Sequence, residues 1–224
     1  MVCATGFSPT ASNWGGLKPN SSIAVDKQGT INLIDAAKAA KVTHFVLVSS
    51  LLTNGAACKQ TDNTNYKVLQ AFGGVLASKR EAEVYLQKSG LDFTVVRPGG
   101  LSNDPATGGV LVQGADTLFG TDGEVGREIS RDLVRVAHST TSMSAFVYES
   151  GLEPPSSPIS RLTDYVTLLC FPLLQVAEVA IEALFQASAD NKIVEIVGTP
   201  GAGSTKSKWF DVPVAPTSGC ATPV

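Results

Sequence analysis

Charged residues are scarce in this sequence. Lys, Arg, Asp and Glu make up 17% of its 224 residues, whereas about 25% is usual for a soluble domain. Seventeen basic side chains against 20 acidic ones give a net charge of −3. A protein that neutralises a run of phosphates needs clustered Lys and Arg, and the sequence has no such cluster. The composition therefore argues against a nucleic-acid partner.

Cysteine and histidine are also rare. The chain has four cysteines and two histidines. No two cysteines have the C-x-x-C spacing that is typical of zinc sites. We therefore predict no metal site and no disulfide-rich scaffold, and a reducing compartment is favoured. The cysteines are Cys3, Cys58, Cys170 and Cys220.

Long hydrophobic runs are absent as well. The most apolar stretch, residues 166–185, is interrupted by a proline, a glutamine and two glutamates. A membrane-spanning helix needs about 20 consecutive apolar residues, so the sequence predicts no transmembrane segment. The first six residues do not form a secretory signal, because their short apolar run ends in a turn at Gly6. They are typical of the end of a strand.

Helical and extended apolar patterns alternate along the rest of the chain. Hydrophobic residues make up 43% of the sequence, enough for a large core. Three helices are predicted. The first begins at Ser21 or Ser22 and ends near Lys41, and the other two span 65–88 and 176–186. The predicted strands are 44–48, 93–96, 192–197 and a short edge strand over Gly109–Gln113. Strands that alternate with helices are typical of a parallel sheet, so the predicted fold class is α/β.

One segment breaks this alternation. Residues 134–175 carry four prolines and keep neither a helical nor a strand period. Joining Leu133 to Val176 gives one continuous amphipathic helix. The possible codons for the residues at both ends of the segment are compatible with splice signals. We interpret it as a translated intron, or alternatively a genuine loop insertion, within a domain over residues 1–198. The remainder, 199–224, is rich in Gly, Pro, Ser and Thr and is predicted to be a loose tail.

Five motifs stand in the order and spacing of a known family. They are Cys3-Ala4-Thr5-Gly6, Gly29-Thr30-Ile31-Asn32-Leu33-Ile34-Asp35-Ala36, Phe45-Val46-Leu47-Val48-Ser49-Ser50, Lys79, and Arg97-Pro98-Gly99-Gly100-Leu101. Together they resemble atypical short-chain dehydrogenase/reductases, in particular the NmrA-like plant and algal NAD(P)-binding proteins related to the Tic62 component of the chloroplast import machinery. The resemblance covers residues 1–133 and 176–197. It implies a Rossmann-like, doubly wound parallel sheet with NADP or NAD across the carboxyl ends of the strands.

The resemblance also implies which residues bind the cofactor. A loop of small residues after the fourth strand lets the backbone approach it. Hydroxyls after the fifth strand lie beside the nicotinamide, a lysine binds the ribose, and a Pro-Gly loop packs on the ring. The matching positions are Ala4, Thr5, Gly6, Ser49, Ser50, Lys79, Pro98, Gly99, Gly100 and Leu101. The alternative for each is a structural role as a turn, a strand end or a solvated lysine.

Lys79 and Ser49 are the candidate catalytic residues. In the family, the lysine follows a tyrosine by four positions and lowers the pKa of its phenol. Val75 occupies the tyrosine position in this sequence, so the usual proton donor is absent. Two functions therefore stay open: an NAD(P)-dependent oxidoreductase, and a non-catalytic dinucleotide-sensing scaffold or interaction protein.

The motifs begin at the fourth strand of the family. The sequence contains no G-x-G-x-x-G turn, on which the pyrophosphate normally rests. We therefore expect the sheet to lack its first three strands and the chain alone to bind NADP or NAD too weakly for calorimetry. An inactive fragment is a further alternative.

Two further expectations follow from the same resemblance. An unpaired strand at the cut edge of the sheet predicts self-association or a protein partner. No transit peptide is recognised in the sequence, so the expected chloroplast location depends on the resemblance alone.

Overall fold

The computed structural model describes residues 1–6, 22–71, 73–102, 108–119, 128–130 and 175–221. Its strands are β1 (Val2–Cys3), β2 (Phe45–Val48), β3 (Phe93–Pro98), β4 (Gly100–Ser102), β5 (Gly109–Gly114), β6 (Glu128–Ser130) and β7 (Lys192–Thr199). Its α-helices are α1 (Thr30–Ala39), α2 (Thr64–Ala71), α3 (Val75–Gln87) and α4 (Gln175–Glu182). A π-helical segment at Ile23–Gly29 and short 3-10 turns at Ala187–Ala189 and Lys206–Lys208 complete the described elements.

The main sheet has the order β1-β2-β3-β7-β5. Neighbours from β1 to β7 are parallel, and β5 runs antiparallel to β7 at the edge. A separate parallel pair joins β4 to β6. The predicted α/β class with a mostly parallel sheet is confirmed. The strand predicted at Gly109–Gln113 is β5, and it lies at an edge of the sheet as expected. The strand β1 lies at the other edge of the described sheet, where self-association stays a prediction.

Apolar side chains cover both faces of this sheet, because successive residues of a strand point to opposite sides. Val46, Val96 and Val194 lie on one face, in a core that includes the inner face of α4. Leu47 and Val95 lie on the other, in a core that includes residues of α1 and α3. Buried apolar area on both faces stabilises the sheet and fixes its register.

The helices differ from the predicted ones in two places. The first begins as a π-helical segment after Ser22 and becomes α-helical at Thr30. The predicted helix over 65–88 is wrong as a single element, because Gly73 and Gly74 have φ of +79° and +74° and separate α2 from α3. Glycine adopts these angles without the strain that a Cβ would add. In the part of the chain that the structure describes, no helix is long and apolar enough to cross a membrane.

The C-terminal tail is anchored to the core at Trp209 and Phe210, which corrects the expectation of a loose segment for this part of it. Trp209 and Phe210 are 3% and 1% exposed and belong to the core beside α4. The Trp209 Nε1–H donates to the Ser204 carbonyl at 2.9 Å. Two large aromatic side chains bury enough apolar area to hold a segment that is otherwise rich in turn residues.

The segment interpreted as an intron falls, apart from its last residue, outside the described residues. That last residue, Gln175, is 7% exposed and begins α4. Its Nε2 donates to the carbonyl oxygens of Gly108 and Gly109 at 2.9 and 3.1 Å. Gln175 is therefore part of the folded domain. The interpretation of residues 134–175 as an intron or a loop insertion stays a prediction.

A disulfide also corrects the interpretation of the cysteines. Cys58 and Cys220 are 162 positions apart in the sequence and are joined by a disulfide. Cys3 is a buried free thiol. The spacing of the cysteines along the chain does not predict this pair, because Cys220 reaches Cys58 only through the path of the C-terminal tail in the folded structure.

Candidate functional site

The candidate site residues lie where the parallel strands β1, β2 and β3 end. Cys3 is paired with Leu47, and Val48 is paired with Val96. The Ser49 N–H donates to the Val96 carbonyl at 2.7 Å, which continues the pairing past the end of β2. Parallel register therefore brings the segments after three strands to one edge, where a doubly wound fold binds its ligand.

Lys79, Gly6 and Asp26 form the centre of this edge. The Lys79 Nζ lies 3.1 Å from Asp26 Oδ1, and their side chains are 16% and 0% exposed. A Cβ placed on Gly6 would lie 3.4 Å from Lys79 Nζ and 3.5 Å from Asp26 Oδ1. A Cβ at position 6 would therefore make ordinary van der Waals contact with the ion pair, so Gly6 lies directly beside it.

A shallow cleft opens between this ion pair and the end of β2. It is lined by Asp26, Thr30, Leu47, Val48, Ser49, Lys79 and Ala82. An ammonium group has three N–H donors, so Lys79 can bind Asp26 and still donate to the oxygens of a ligand in the cleft. The cleft is too small to enclose a ligand, so such a contact would be made at its surface.

Ser49 has a different set of contacts from those the resemblance implies. Its hydroxyl is buried and donates to Glu83 Oε1 at 2.6 Å. The Thr53 hydroxyl donates to the same oxygen at 3.1 Å. The Ser49 hydroxyl hydrogen is therefore donated to a buried carboxylate and not to the cleft. Ser49 is still one of the residues that line the cleft.

The remaining predicted residues are not among those that line the cleft. Ala4 and Thr5 are exposed, and Ser50 is half-buried. The Pro-Gly segment follows the end of β3: Pro98 is buried, Gly99 is half-buried, and Gly100 and Leu101 are exposed. Its position is fixed by the Gly99 N–H, which donates to the Ile196 carbonyl at 2.9 Å. Val75 is the first residue of α3, one turn before Lys79.

A buried charge network contacts the site residue Ser49 through Glu83. The sequence analysis did not predict this network. Arg97, 1% exposed, donates to both oxygens of Glu83, from Nε at 3.0 Å and from Nη2 at 2.8 Å. Its Nη1 lies 2.7 Å from Asp116 Oδ1 and 3.3 Å from Glu195 Oε1. A second arginine, Arg80, contacts Glu83 Oε2 at 3.1 Å.

Each carboxylate of this network also has other partners. Glu195 accepts backbone N–H groups from Asp116, Thr117 and Leu118 at 2.9, 3.0 and 2.7 Å. Asp116 Oδ2 accepts from Asn54 Nδ2 at 2.7 Å. A fully hydrogen-bonded network is the arrangement in which buried charges are tolerated.

The network shifts the pKa of its members in opposite directions. Burial would raise the pKa of Glu83, but the charge of Arg97 and hydrogen bonds from Arg97 and Ser49 outweigh it and hold the pKa below 4.5. Burial raises the pKa of Glu195, and the more distant Arg97 charge offsets this only in part. Burial opposes the charge of Arg97 too, but the Glu83, Glu195 and Asp116 carboxylates raise its pKa above the ordinary value. Arg97 is therefore permanently charged.

Some signal for the network exists in the sequence. Glu195 interrupts the apolar run of β7, and Arg97 follows the apolar run of β3. A charge inside a fully buried strand needs a partner of opposite sign, and Arg97 and Glu195 are paired in the β3–β7 register. The contributions of Glu83 and Asp116 depend on tertiary packing and have no such signal.

One group of potential metal ligands occurs among the described residues. The ligand atoms of Cys58, Asp116 and Cys220 lie within 4.8 Å of one another. The two sulfurs are joined to each other, so they lack the thiolate charge that a metal ion requires. The expectation that the protein has no metal site stays a prediction.

Comparison with known proteins identifies relatives of this chain. A family model described as NAD(P)H-binding matches residues 2–143. An uncharacterized chloroplastic protein of Arabidopsis thaliana is 39% identical over 197 residues, covering 88% of this chain and 51% of that protein. TIC 62 of Pisum sativum, chloroplastic, is 43% identical over 100 residues, covering 43% of this chain and 18% of that protein. The chain thus spans about half the length or less of these relatives.

Other relatives carry enzyme names. Sanguinarine reductase of Eschscholzia californica is 40% identical over 101 residues, covering 44% of this chain and 34% of that enzyme. Among solved structures, a putative NAD-dependent epimerase/dehydratase from Bacillus halodurans aligns with a TM-score of 0.56 at 23% identity, covering 94% of this chain and 67% of that chain. An oxidoreductase from Lactococcus lactis aligns at 0.52 and 18%, covering 88% and 62%. Both structures share the Rossmann-like fold.

Proposed function

The chain belongs to the NAD(P)H-binding family, and we propose that it forms the nicotinamide-ribose side of a dinucleotide site in a reductase-like protein. The observation that carries this proposal is the Lys79–Asp26 ion pair beside Gly6, at the carboxyl end of β1. Asp26 holds the Lys79 ammonium over the cleft, where its other N–H groups donate to ribose hydroxyls. NADP or NAD, when bound, supplies hydride chemistry at its nicotinamide ring.

The neighbouring loops complete the proposed site. Gly6 keeps the space beside Lys79 open, so the backbone of residues 4–6 can approach the ligand. The Ser50 hydroxyl and the segment 98–101 lie at the ends of the adjacent strands β2 and β3. We assign to them contacts with the nicotinamide amide and the face of its ring.

The proposed site lacks a pyrophosphate cradle, because the sequence has no G-x-G-x-x-G turn. Each charge-assisted hydrogen bond to a phosphate contributes about 1.5–3 kcal/mol. We therefore expect the affinity of this chain for a dinucleotide to be low.

A second candidate function is dinucleotide binding without turnover. Two features favour it: Val75 stands where the family has its proton-donating tyrosine, and the Ser49 proton is directed to Glu83. A carbonyl reduction needs a proton donor within reach of the substrate oxygen. A steady-state assay of NADPH oxidation with carbonyl acceptors separates the two candidates, since only the reductase consumes NADPH.

The binding proposal is tested by titrating the chain with NADPH. At micromolar concentrations we expect no saturable heat in calorimetry. At millimolar NADPH, two-dimensional NMR should show localised shifts at Gly6, Ser50, Lys79 and Gly99. Lys79→Ala should weaken this binding about tenfold or more, since a charged hydrogen bond to the ribose is lost. The matched control Lys88→Ala, an exposed lysine just after α3, should change it less than about twofold.

Folding of the variant is checked separately. Lys79→Ala leaves the buried Asp26 carboxylate without its cation, so the double variant Asp26→Asn/Lys79→Ala serves to restore charge balance. Equal binding by the Lys79 and Lys88 variants would contradict the role of Lys79. A saturable calorimetric signal for the unaltered chain would contradict the incomplete site.

We also propose that the protein acts in the chloroplast. The support is that the relatives from Arabidopsis thaliana and Pisum sativum described above carry chloroplastic in their names. Imaging of a fluorescent fusion made from the complete coding sequence tests this location, and a purely cytosolic signal would overturn it.

A further inference from the structure

The C-terminal residues 211–221 form a strap that runs back over α3 towards the loop after β2. Along the way, the Gln87 side chain donates to the Ala215 carbonyl at 3.5 Å and Arg80 donates to the Thr217 carbonyl at 3.3 Å. Residues 216–220 of this strap are all exposed. Little apolar area is therefore available to hold its last third in place.

The end of the strap is fixed by the Cys58–Cys220 disulfide. Cys58 lies in the loop formed by residues 51–59, directly after the site residues Ser49 and Ser50. Hydrogen bonds flank the disulfide on both sides. Asn54 Nδ2 donates to the Gly219 carbonyl at 2.8 Å, and the Ala221 N–H donates to Asp116 Oδ2 at 2.9 Å.

These contacts connect the strap to the buried charge network. Asp116 binds the strap through Oδ2 and Arg97 through Oδ1. Asn54 is bonded both to Asp116 and to the strap. The disulfide therefore closes a ring of contacts that includes the loop 51–59, the strap and the base of the candidate site.

The disulfide is also within reach of solvent. Cys220 is exposed and Cys58 is partly exposed. An exposed disulfide can be attacked by an external thiolate. The thiol of Cys3, by contrast, is only 3% exposed and is out of reach of such a reagent. Loss of the bond would leave the end of the strap held by the two hydrogen bonds that flank it, the Arg80–Thr217 bond and the partly buried Ala221 side chain.

We propose that Cys58–Cys220 is a reversible redox switch that fastens the strap to the loop 51–59, and that its reductant is a dithiol. A thiolate of the dithiol attacks one sulfur, the Cys58–Cys220 bond breaks, and a mixed disulfide forms. The second thiol of the reductant then displaces the remaining protein sulfur. Two electrons and two protons pass to Cys58 and Cys220, and the dithiol becomes a disulfide. The released strap leaves Asp116 and Asn54, and residues 56–59 of the loop, which are exposed or half-buried, become mobile.

Hydrogen–deuterium exchange of the full chain tests this switch. The oxidised chain and the chain reduced with dithiothreitol are compared, with a chelator present so that no metal ion bridges the reduced thiols. We expect exchange at the Ala221 amide and in residues 56–59 to become at least about tenfold faster on reduction. Peptides of α1 should not change. Reoxidation should restore the slow exchange, and mass spectrometry should identify the linked Cys58 and Cys220 peptides.

Two matched variants complete the experiment. Cys58→Ser and Cys220→Ser should each exchange like the reduced chain and show no further response to dithiothreitol. Equal exchange in the oxidised and reduced chains, or slow exchange in either variant, would overturn the switch. So would failure to detect the linked peptides after oxidation. The measurement uses no dinucleotide, so its result is independent of the proposed nicotinamide site.

Discussion

Arg97 is the residue on which the buried charges depend. It is 1% exposed and contacts three carboxylates from α3, β7 and the turn after β5. We expect Arg97→Met to lower the free energy of unfolding by about 3–5 kcal/mol, because removal of one partner leaves uncompensated buried charge. Urea denaturation followed by circular dichroism measures this loss.

The matched control is Arg80→Met. Arg80 contacts the same carboxylate, Glu83, but its side chain is 14% exposed against 1% for Arg97. Solvent screens the more exposed pair, so its loss should cost about 1 kcal/mol or less. Similar losses for the two variants would show that burial does not govern the strength of these pairs.

Glu83 gives the network a dependence on pH. Its pKa in the folded chain lies below the ordinary 4.5, because Arg97 and the hydrogen bonds outweigh burial. Glu83 therefore stabilises the fold above pH 4.5, and this contribution is lost as the pH falls through the lowered pKa. The unaltered chain should exceed Glu83→Gln in stability most at pH 7, and the gap should narrow in acid. Urea midpoints measured from pH 7 to pH 3.5 check this, and a constant gap would contradict it.

The break between α2 and α3 is the feature at element scale that the hydrophobic pattern concealed. Apolar positions continue across residues 65–88, yet Gly73 and Gly74 take positive φ and separate two helices. Lys79 and Glu83 are both on α3, which begins directly after the break. The candidate site residues of this region therefore belong to a helix separate from α2.

Gly74→Ala should lower the free energy of unfolding by about 1–2 kcal/mol. Gly74 has φ of +74° and ψ of +32°, a left-handed conformation that strains any residue with a Cβ. Gly201→Ala is the control: an added Cβ there has no neighbour within 4 Å, and its φ is not positive. We expect a change within about 0.5 kcal/mol for the control. Equal thermal unfolding temperatures for the two variants would argue against strain at the break.

Strands were more predictable from the sequence than helix ends. The apolar runs of β2, β3 and β7 were predicted to within two residues, because a strand buried on both faces is continuously apolar. The π-helical segment was not, since its hydrogen bonds change without a visible change in composition. For the candidate site, Ser49 and Lys79 line one cleft and Gly6 lies beside Lys79, while the cofactor-binding roles that the resemblance implies stay predictions. The Arg97 network was missed because its partners are 14, 19 and 98 positions away in the sequence.

At the scale of the whole molecule, the described elements that precede and follow the interrupting segment in the sequence contact each other. Helix α4, which begins at Gln175, packs against β3 and β6. The strand β6 ends at Ser130, so the described residues 128–130 and 175–182 lie in neighbouring elements. The intron interpretation stays a prediction, and sequencing of the mature transcript tests it: transcripts that always retain the codons would contradict it.

The fold itself should not need residues 134–174. Their deletion shortens the connection between β6 and α4 about tenfold or more, which reduces its closure entropy cost by up to about 2 kcal/mol. We expect the shortened chain to keep its circular dichroism spectrum and to unfold at the same or a higher temperature. Within it, Gln175→Ala should cost about 1–3 kcal/mol, because the bonds to the Gly108 and Gly109 carbonyls are lost. A shortened chain that fails to fold would show instead that the segment is part of the core.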